Sequence, residues 1–511
     1  MFVRKKKNKS GIISIQIIDK GSGKYNVYKT VGSSSDKKTI EELFTKAKQE
    51  IENQNIQEKF NFEIDKERQL VDVFYNSIED FRLLGPELLL GKIFDEVGFN
   101  IIKEELFRYL VITRLVYPVS KLKTIDYLYK YKGISINIDK LYRYLDRLHK
   151  EQIGLVEQIS YRHAIKEMQA DVSIVFYDVT TLYFEAEDED DLRKSGFSKD
   201  GKHQNPQIVL GLLVNASGFP LGYEIFDGKK FEGHTMLPVI ESFKKRYKLS
   251  QLVIVADAGL MSKENIKQLV EKKYKFIIGA RIKNESDAIK KKILSLKLSD
   301  GQSAAFNKQE ERMIVSYSGQ RAKKDEYNRK RGLQKLEKSV STGSLTKKHI
   351  TNRGYNKYLK LDGKATVAID YDKYNDDAKW SGIKGYLTNT ELSKEEVIAQ
   401  YKQLWHIEKT FRISKTDLRI RPIFHYLRKR IESHICISFA ACVIYKELDR
   451  QLKNKKSHLS PEKVIDILKT IYAITITTPY SKTRYTRLLI KNKEQAELLR
   501  LFNIPFGCPS A

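Results

Sequence analysis

Cysteine is scarce: Cys436, Cys442 and Cys508 are the only three in 511 residues, and no two stand in a C-x-x-C spacing. That argues against a disulfide framework and against a cysteine zinc site. No run of about 18 apolar residues exists to cross a bilayer. The most apolar stretch, residues 435–445 (ICISFAACVIY), is too short for a span and reads as a buried helix. The N-terminus, MFVRKKKNKSG, is basic, yet no apolar signal core follows it. Histidine supplies no metal centre either, because His203, His234, His406 and His425 share no ligand spacing. Acidic residues are also in deficit, 65 against 93 Lys and Arg, a net charge of +28. Such an excess favours a polyanionic partner, since each cation placed on a phosphate releases counterions. The expected compartment is the cytoplasm, at the nucleoid, and the length allows two or three domains.

What is present divides the chain into six segments. Residues 1–80 read as a small β and helical module: Ile13, Ile15 and Ile17 alternate, a turn follows Asp19, a strand returns over 25–31, and a charged helix covers 39–57. Residues 81–170 read as all helix. Within them residues 137–150 (NIDKLYRYLDRLHK) make an amphipathic helix exposing Arg143, Arg147 and Lys150, just after a turn at Gly133. That is the pattern of a DNA-reading helix-turn-helix, although any helical domain can contain it. Residues 171–282 switch to strands at 172–184, 208–214 and 220–226, a helix at 235–247, a strand at 252–256, a helix capped by Ser262, and a strand at 276–280. Three strands in a meander, then helix, strand, helix, strand, is the order of a ribonuclease-H-like core, an α/β fold with a mixed sheet between helices. Residues 283–390 read as a β-rich basic insertion, with strands at 313–318, 355–361, 365–371 and 383–388 and a basic arm at 321–348. Over 100 residues is too long for a structureless loop. Residues 391–450 resume the core, and 451–511 read as a helical, basic tail.

The stretch that organises the core is 401–415, YKQLWHIEKTFRISK. Ser393 and Glu396 upstream form a capping box. Leu404, Ile407 and Phe411 recur at helical spacing, and Tyr401, Glu408 and Lys415 stand seven apart, on one stripe. Arg412 lies one turn beyond Glu408. A carboxylate flanked by cations suits a phosphate-handling metal site; it equally suits a solvated helix face. The rest of the chain decides between them. Asp178 sits inside an apolar strand (VFYDVTT) and Asp257 ends another (LVIVAD). In the meander order the first and fourth strands are neighbours, so the two aspartates fall side by side. A carboxylate pair in a sheet repels and desolvates unless a cation neutralises it. Oxygen-only donors with room for water suit Mg²⁺. Glu408 is the third acid that would close the site. The acidic run Glu185 to Asp191 is contiguous and reads as a solvated loop.

These residues resemble the bacterial insertion-sequence transposases of the DDE type, in the branch with a Tyr-x2-Arg-x3-Glu-x6-Lys signature and a β insertion before the Glu. The likeness runs from about Phe176 to Tyr445: YDVTTLYF at 177–184, GFSKDGK at 196–202, VADAG at 255–259, YLTN at 386–389, the signature at Tyr401, Glu408 and Lys415, and RPIFH at 421–425. It departs at Leu404, where the branch has Arg; Arg412 is the candidate substitute. The resemblance implies a catalytic core split by an insertion. It implies recognition of the element's inverted repeats, cleavage at its ends, and joining of 3′-hydroxyls to target DNA. It further implies two Mg²⁺ or Mn²⁺ ions on Asp178, Asp257 and Glu408, DNA contacts from Tyr401, Lys415, Arg412, Arg421 and His425, and a homodimer on paired ends. Trp380 and Trp405, the only two tryptophans, are the candidate platforms for a flipped base. The alternatives are a metal-dependent nuclease on the same core and a DNA-binding protein with an inactive core. The intact Asp178, Asp257 and Glu408 weigh against the last.

Overall fold

The structure is a computed structural model describing residues 1–511 except 22, 167–172, 197, 199–200, 203, 250, 261, 309, 353, 363–365 and 507–511, and except the side chains of 56–65 and 263. Val172 at the start of the first expected core strand, Phe197, Lys199, Asp200, His203, Ala365 and Cys508 lie outside the described residues. The chain divides into two compact units: Met1–Arg82 with Tyr472–Leu489, and Leu83–Ile471 with Ile490–Pro505.

In the first unit, strands Phe2–Lys7, Ile13–Asp19 and Asn26–Ser34 form an antiparallel sheet. The alternating isoleucines do what their period requires: Ile15 and Ile17 are fully buried, against Ile40 and Ala47 of the helix Lys37–Asn76. That helix, capped by Asp36, runs well past residue 57. A second sheet joins Ile78–Leu83 to the hairpin Tyr472–Thr477 and Arg484–Leu489, with Phe81 stacked on Tyr472 at 4.8 Å. The tail is therefore not helical throughout. Its β-branched run YAITIT prefers a pleated surface, and the charges of Arg484 and Arg487 hide the alternation of its partner.

The second unit is built on one eight-stranded sheet. We number its strands β1 (Ile174–Tyr183), β2 (Gln207–Val214), β3 (Pro220–Asp227), β4 (Val253–Ala256), β5 (Lys275–Ala280), β6 (Ser303–Lys308), β7 (Glu311–Tyr317) and β8 (Ile383–Thr388). Their order across the sheet is β6-β7-β8-β5-β4-β1-β2-β3. The meander β1-β2-β3 is antiparallel, whereas β4 runs parallel to β1 and β5 parallel to β4. The turn at Asn215 holds the meander: its side chain accepts from the backbone N–H of Ser217 and Phe219. Helices Met236–Tyr247 and Lys263–Glu271 make the crossovers. Order and direction over β1–β5 are those expected of a ribonuclease-H-like core.

Between residues 283 and 390, β6, β7 and β8 do not make a sheet of their own. They extend the main one, β8 pairing antiparallel with β5. The basic helix Gly319–Ser341 and a two-stranded ribbon, Leu359–Asp362 with Thr366–Ile369, share a small core of Leu336, Tyr358, Leu359, Val367 and Ile369. The strand expected over 365–371 is seen as Thr366–Ile369, and a helix, Tyr371–Ala378, follows it.

Helices Glu105–Val116, Lys121–Lys132, Ile138–Glu151 and Ile153–Lys166 precede the sheet. Leu141, Tyr144, Leu145 and Leu148 on one of them are buried, and Ser433 of the helix Arg428–Asn454 donates to the Leu145 carbonyl at 2.6 Å. Arg143, Arg147 and Lys150 are exposed. The run from Ile435 to Leu448 is buried, as its composition requires. Among the described residues no helix is long and apolar enough to cross a membrane.

Candidate active site

The central strands β1 and β4 set the site. Their parallel register pairs Tyr177 with Ala256, so the next position on each chain is Asp178 and Asp257. Asp178 is half-buried, and its Oδ1 accepts from the Val179 N–H at 2.8 Å. Asp257, one residue past the end of β4, is exposed.

The stretch 401–415 is not one helix. Lys394–Lys402, opened by the Ser393/Glu396 capping box, ends at a turn through Gln403 and Leu404. A second helix, Trp405–Arg412, follows and passes into a π turn, Ile413–Asp417. Leu404 is buried at that break, a place where a guanidinium would lose its hydration. Tyr401, on the first helix, is buried, and its hydroxyl donates to Asp257 Oδ1 at 2.7 Å. Burial, then the Asp257 charge, push the Tyr401 pKa well above the usual tyrosine value, so the hydroxyl stays a donor. Gly279 on β5 makes this approach possible, because a Cβ there would collide with the Tyr401 hydroxyl.

Glu408 lies on the exposed face of the second helix; Ile407, Thr410 and Phe411 form its buried face. Thr410 anchors that face by donating to the Gly218 carbonyl in the β2–β3 turn at 2.8 Å. The strand register sets Asp178 beside Asp257, and Asp257 and Glu408 both act on Lys384. Among the described residues no group of three His, Cys, Asp or Glu side chains is gathered tightly enough to hold a metal ion.

Lys384 on β8 links the separated acids electrostatically. Burial and Arg321 lower its pKa, while the charges of Asp257 and Glu408 raise it. Its ammonium lies 4.4 Å from the Tyr401 ring centroid. Lys384, Arg281, Lys283 and Arg321 line an open groove of about 430 Å³ in which Asp257 is the one acid among the described residues. Of these four cations only Arg321, at the start of the basic arm, was marked in the sequence. The one signal for Lys384 was position: it is two residues before the YLTN motif.

The remaining sequence candidates scatter. Arg412 is exposed and Lys415 half-buried in the π turn. The Arg421 guanidinium lies over the Tyr183 ring at 5.5 Å. His425 is buried, and its pKa falls to about 3 through burial and the nearby Lys121, Arg430 and Arg114; it is a neutral imidazole. Trp380 is buried, whereas Trp405 is 53% exposed with its ring 3.8 Å from that of His406.

The sequence model of the family described as "Transposase DDE domain" matches residues 170–444, more than half of the chain. No curated protein matches the sequence. Among solved structures, the cryo-EM structure of the piggyBac transposase synaptic complex with hairpin DNA superposes with a TM-score of 0.38 at 10% identity, covering 76% of this chain and 79% of that one. Nothing about the site is carried over at that distance.

Proposed function

Because the chain belongs to the transposase DDE domain family, we propose that it binds the terminal inverted repeats of an insertion sequence, cleaves DNA at the element ends and transfers the 3′-hydroxyls into target DNA. The observation that carries this reading is the parallel register of β1 and β4, which puts Asp178 beside Asp257 at the centre of the sheet. Two aspartates on neighbouring strands are an oxygen-only donor set, which fits a hard divalent ion. Asp178 and Asp257 would hold Mg²⁺ or Mn²⁺, with Glu408 as the third carboxylate. A pair of such ions supplies activation of the attacking hydroxyl and stabilisation of the leaving oxygen. Glu408 completes the set by a shift of its helix or side chain. The Gln403–Leu404 break is the place in the backbone that allows it. Lys384 holds the charge balance among Asp257, Glu408 and Tyr401 until then.

The protein's own groups do the positioning. The cations of the groove beside Asp257 take the phosphates next to the scissile bond. Tyr401 orients the Asp257 carboxylate through its hydroxyl hydrogen bond. Lys415, Arg412 and Arg421 contact the DNA end, and Trp405 is the better platform for a flipped base, since Trp380 is already enclosed. His425 supports the fold around it rather than neutralising phosphate. Binding of paired ends by a homodimer completes the reading.

The test is cleavage of a labelled duplex carrying the element's ends, with Mg²⁺, Mn²⁺ or EDTA, by wild type and Glu408→Gln. Nicking at the element boundary that needs metal and drops at least a hundredfold in Glu408→Gln, with end binding retained, is the expected result. Equal cleavage by the variant would falsify the assignment of Glu408. Tight end binding without cleavage by either protein would favour a regulatory DNA-binding protein.

A further inference from the structure

A second cavity, of about 570 Å³, lies in the same unit, between the start of the helix Lys121–Lys132 and the segment Arg419–His425. Arg114, Lys121, Lys123, Arg419 and Arg421 line it, and among the described residues no carboxylate does. Two of these cations are deeply buried: Arg114 and Lys121 are each only 5% exposed. Arg114 reaches the ring of His434 at 3.4 Å, and the other nitrogen of that ring is engaged by the Ile420 carbonyl. Lys121 has no hydrogen-bond or ion-pair partner among the described residues. A buried ammonium without a partner is costly, and chains rarely keep one that does nothing. Burial, then Arg114, lower the Lys121 pKa, as the absence of an acid requires. Resting on the DNA-transposition reading, we propose that this cavity is an anion site that takes a backbone phosphate of the bound DNA, with Lys121 and Arg114 as its floor and Lys123, Arg419 and Arg421 as its rim.

Arg421 covers Tyr183 at the end of β1, five positions and about 16 Å from Asp178 at the usual rise of a strand, and the odd offset puts the two side chains on opposite faces. A phosphate held here would belong to DNA passing the end of β1, away from the scissile bond. Arg114 and Lys121 come from the helices before the sheet, so the site would tie that region to the DNA path of the core.

The experiment is thermal melting of the full chain, without metal, in inorganic phosphate or pyrophosphate, alongside end-duplex binding over a salt series. Wild type, Lys121→Met and the rim variant Lys123→Gln/Arg419→Gln are compared. Phosphate is expected to raise the wild-type melting temperature and to leave Lys121→Met unmoved. Lys121→Met without anion should melt at or above wild type, because an unpaired buried charge is gone. Its binding should lose about one unit of slope in log K against log salt. A variant that melts lower without anion, and is protected by phosphate as well as wild type, overturns the proposal and makes Lys121 structural. If Lys121→Met does not fold, the rim variant decides: lost protection supports the site and full protection overturns it. Protection with an unchanged DNA slope in both variants overturns the DNA source, leaving a free phosphate compound as ligand. Melting involves no cleavage, so this result stands apart from the fate of the strand-transfer reading.

Discussion

Tyr401 shows how far a residue's role depends on its neighbours. The spacing in the sequence puts it on the Glu408 stripe and, by resemblance, on a DNA phosphate. In the structure its hydroxyl is committed to Asp257 at 2.7 Å. A group that fixes the orientation of a metal-binding carboxylate typically contributes tenfold to a hundredfold to metal affinity. Tyr401→Phe is therefore expected to raise the Mg²⁺ concentration for half-maximal nicking by about tenfold or more, with end binding little changed. A metal titration of the nicking rate checks this. A variant with weakened DNA binding and an unaltered metal requirement would return Tyr401 to the phosphate. The two tryptophans carry the same lesson: identity alone left them equivalent, and burial separates enclosed Trp380 from half-exposed Trp405.

At the scale of elements, Glu408 depends on a helix of only eight residues, Trp405–Arg412. Such a helix is marginal alone and needs tertiary anchors. Thr410 is the clearest one, since its hydroxyl meets the Gly218 carbonyl in a buried setting. Thr410→Val keeps the shape and strands that carbonyl, at a cost of about 1–3 kcal/mol. Urea unfolding should show that loss as a lower midpoint with an unchanged slope, and an unmoved midpoint would mean the helix is held elsewhere. The strands that carry the aspartates were legible in the sequence for physical reasons. They are buried over most of their length and read as continuous apolar runs, and a cap at Ser262 opens the helix after β4. What escaped lacks those signals. β6, SAAFNK, is an edge strand with little apolar content, and helix Tyr371–Ala378 is short and acidic. The break at Gln403–Leu404 carries neither Gly nor Pro to mark it. Lys384 was hidden because its meaning comes from β8 pairing with β5, a contact distant in sequence.

For the whole molecule, a net charge of +28 bears on partners and rates rather than on the fold. Its distribution is the informative part. Many surface cations are already in ion pairs, as Lys272 is with Glu241 and Lys429 with Asp146. Such exposed pairs contribute little to stability, but they remove cations from those available to DNA. The helix Gly319–Ser341 differs. Its Lys323, Lys324 and Arg331 are exposed and have no ion-pair partner among the described residues, while Arg321 at its start lines the groove beside Asp257. If this helix lies along the DNA, its free cations act as phosphate contacts, each releasing a counterion. Changing Lys323, Lys324 and Arg331 together to Gln should then flatten log K against log salt by up to about 2.7 units, near 0.9 per contact on duplex DNA. These side chains touch neither the acid pair nor Tyr401, so nicking at saturating DNA should stay within about twofold of wild type. Competition binding between 50 and 200 mM salt, using end and non-end duplexes, measures both the slope and whether the loss is uniform across sequences, as phosphate contacts require. A slope that does not change would put the helix away from the DNA and assign its charge to solubility. A loss confined to the element's own ends would instead make it a reader of bases.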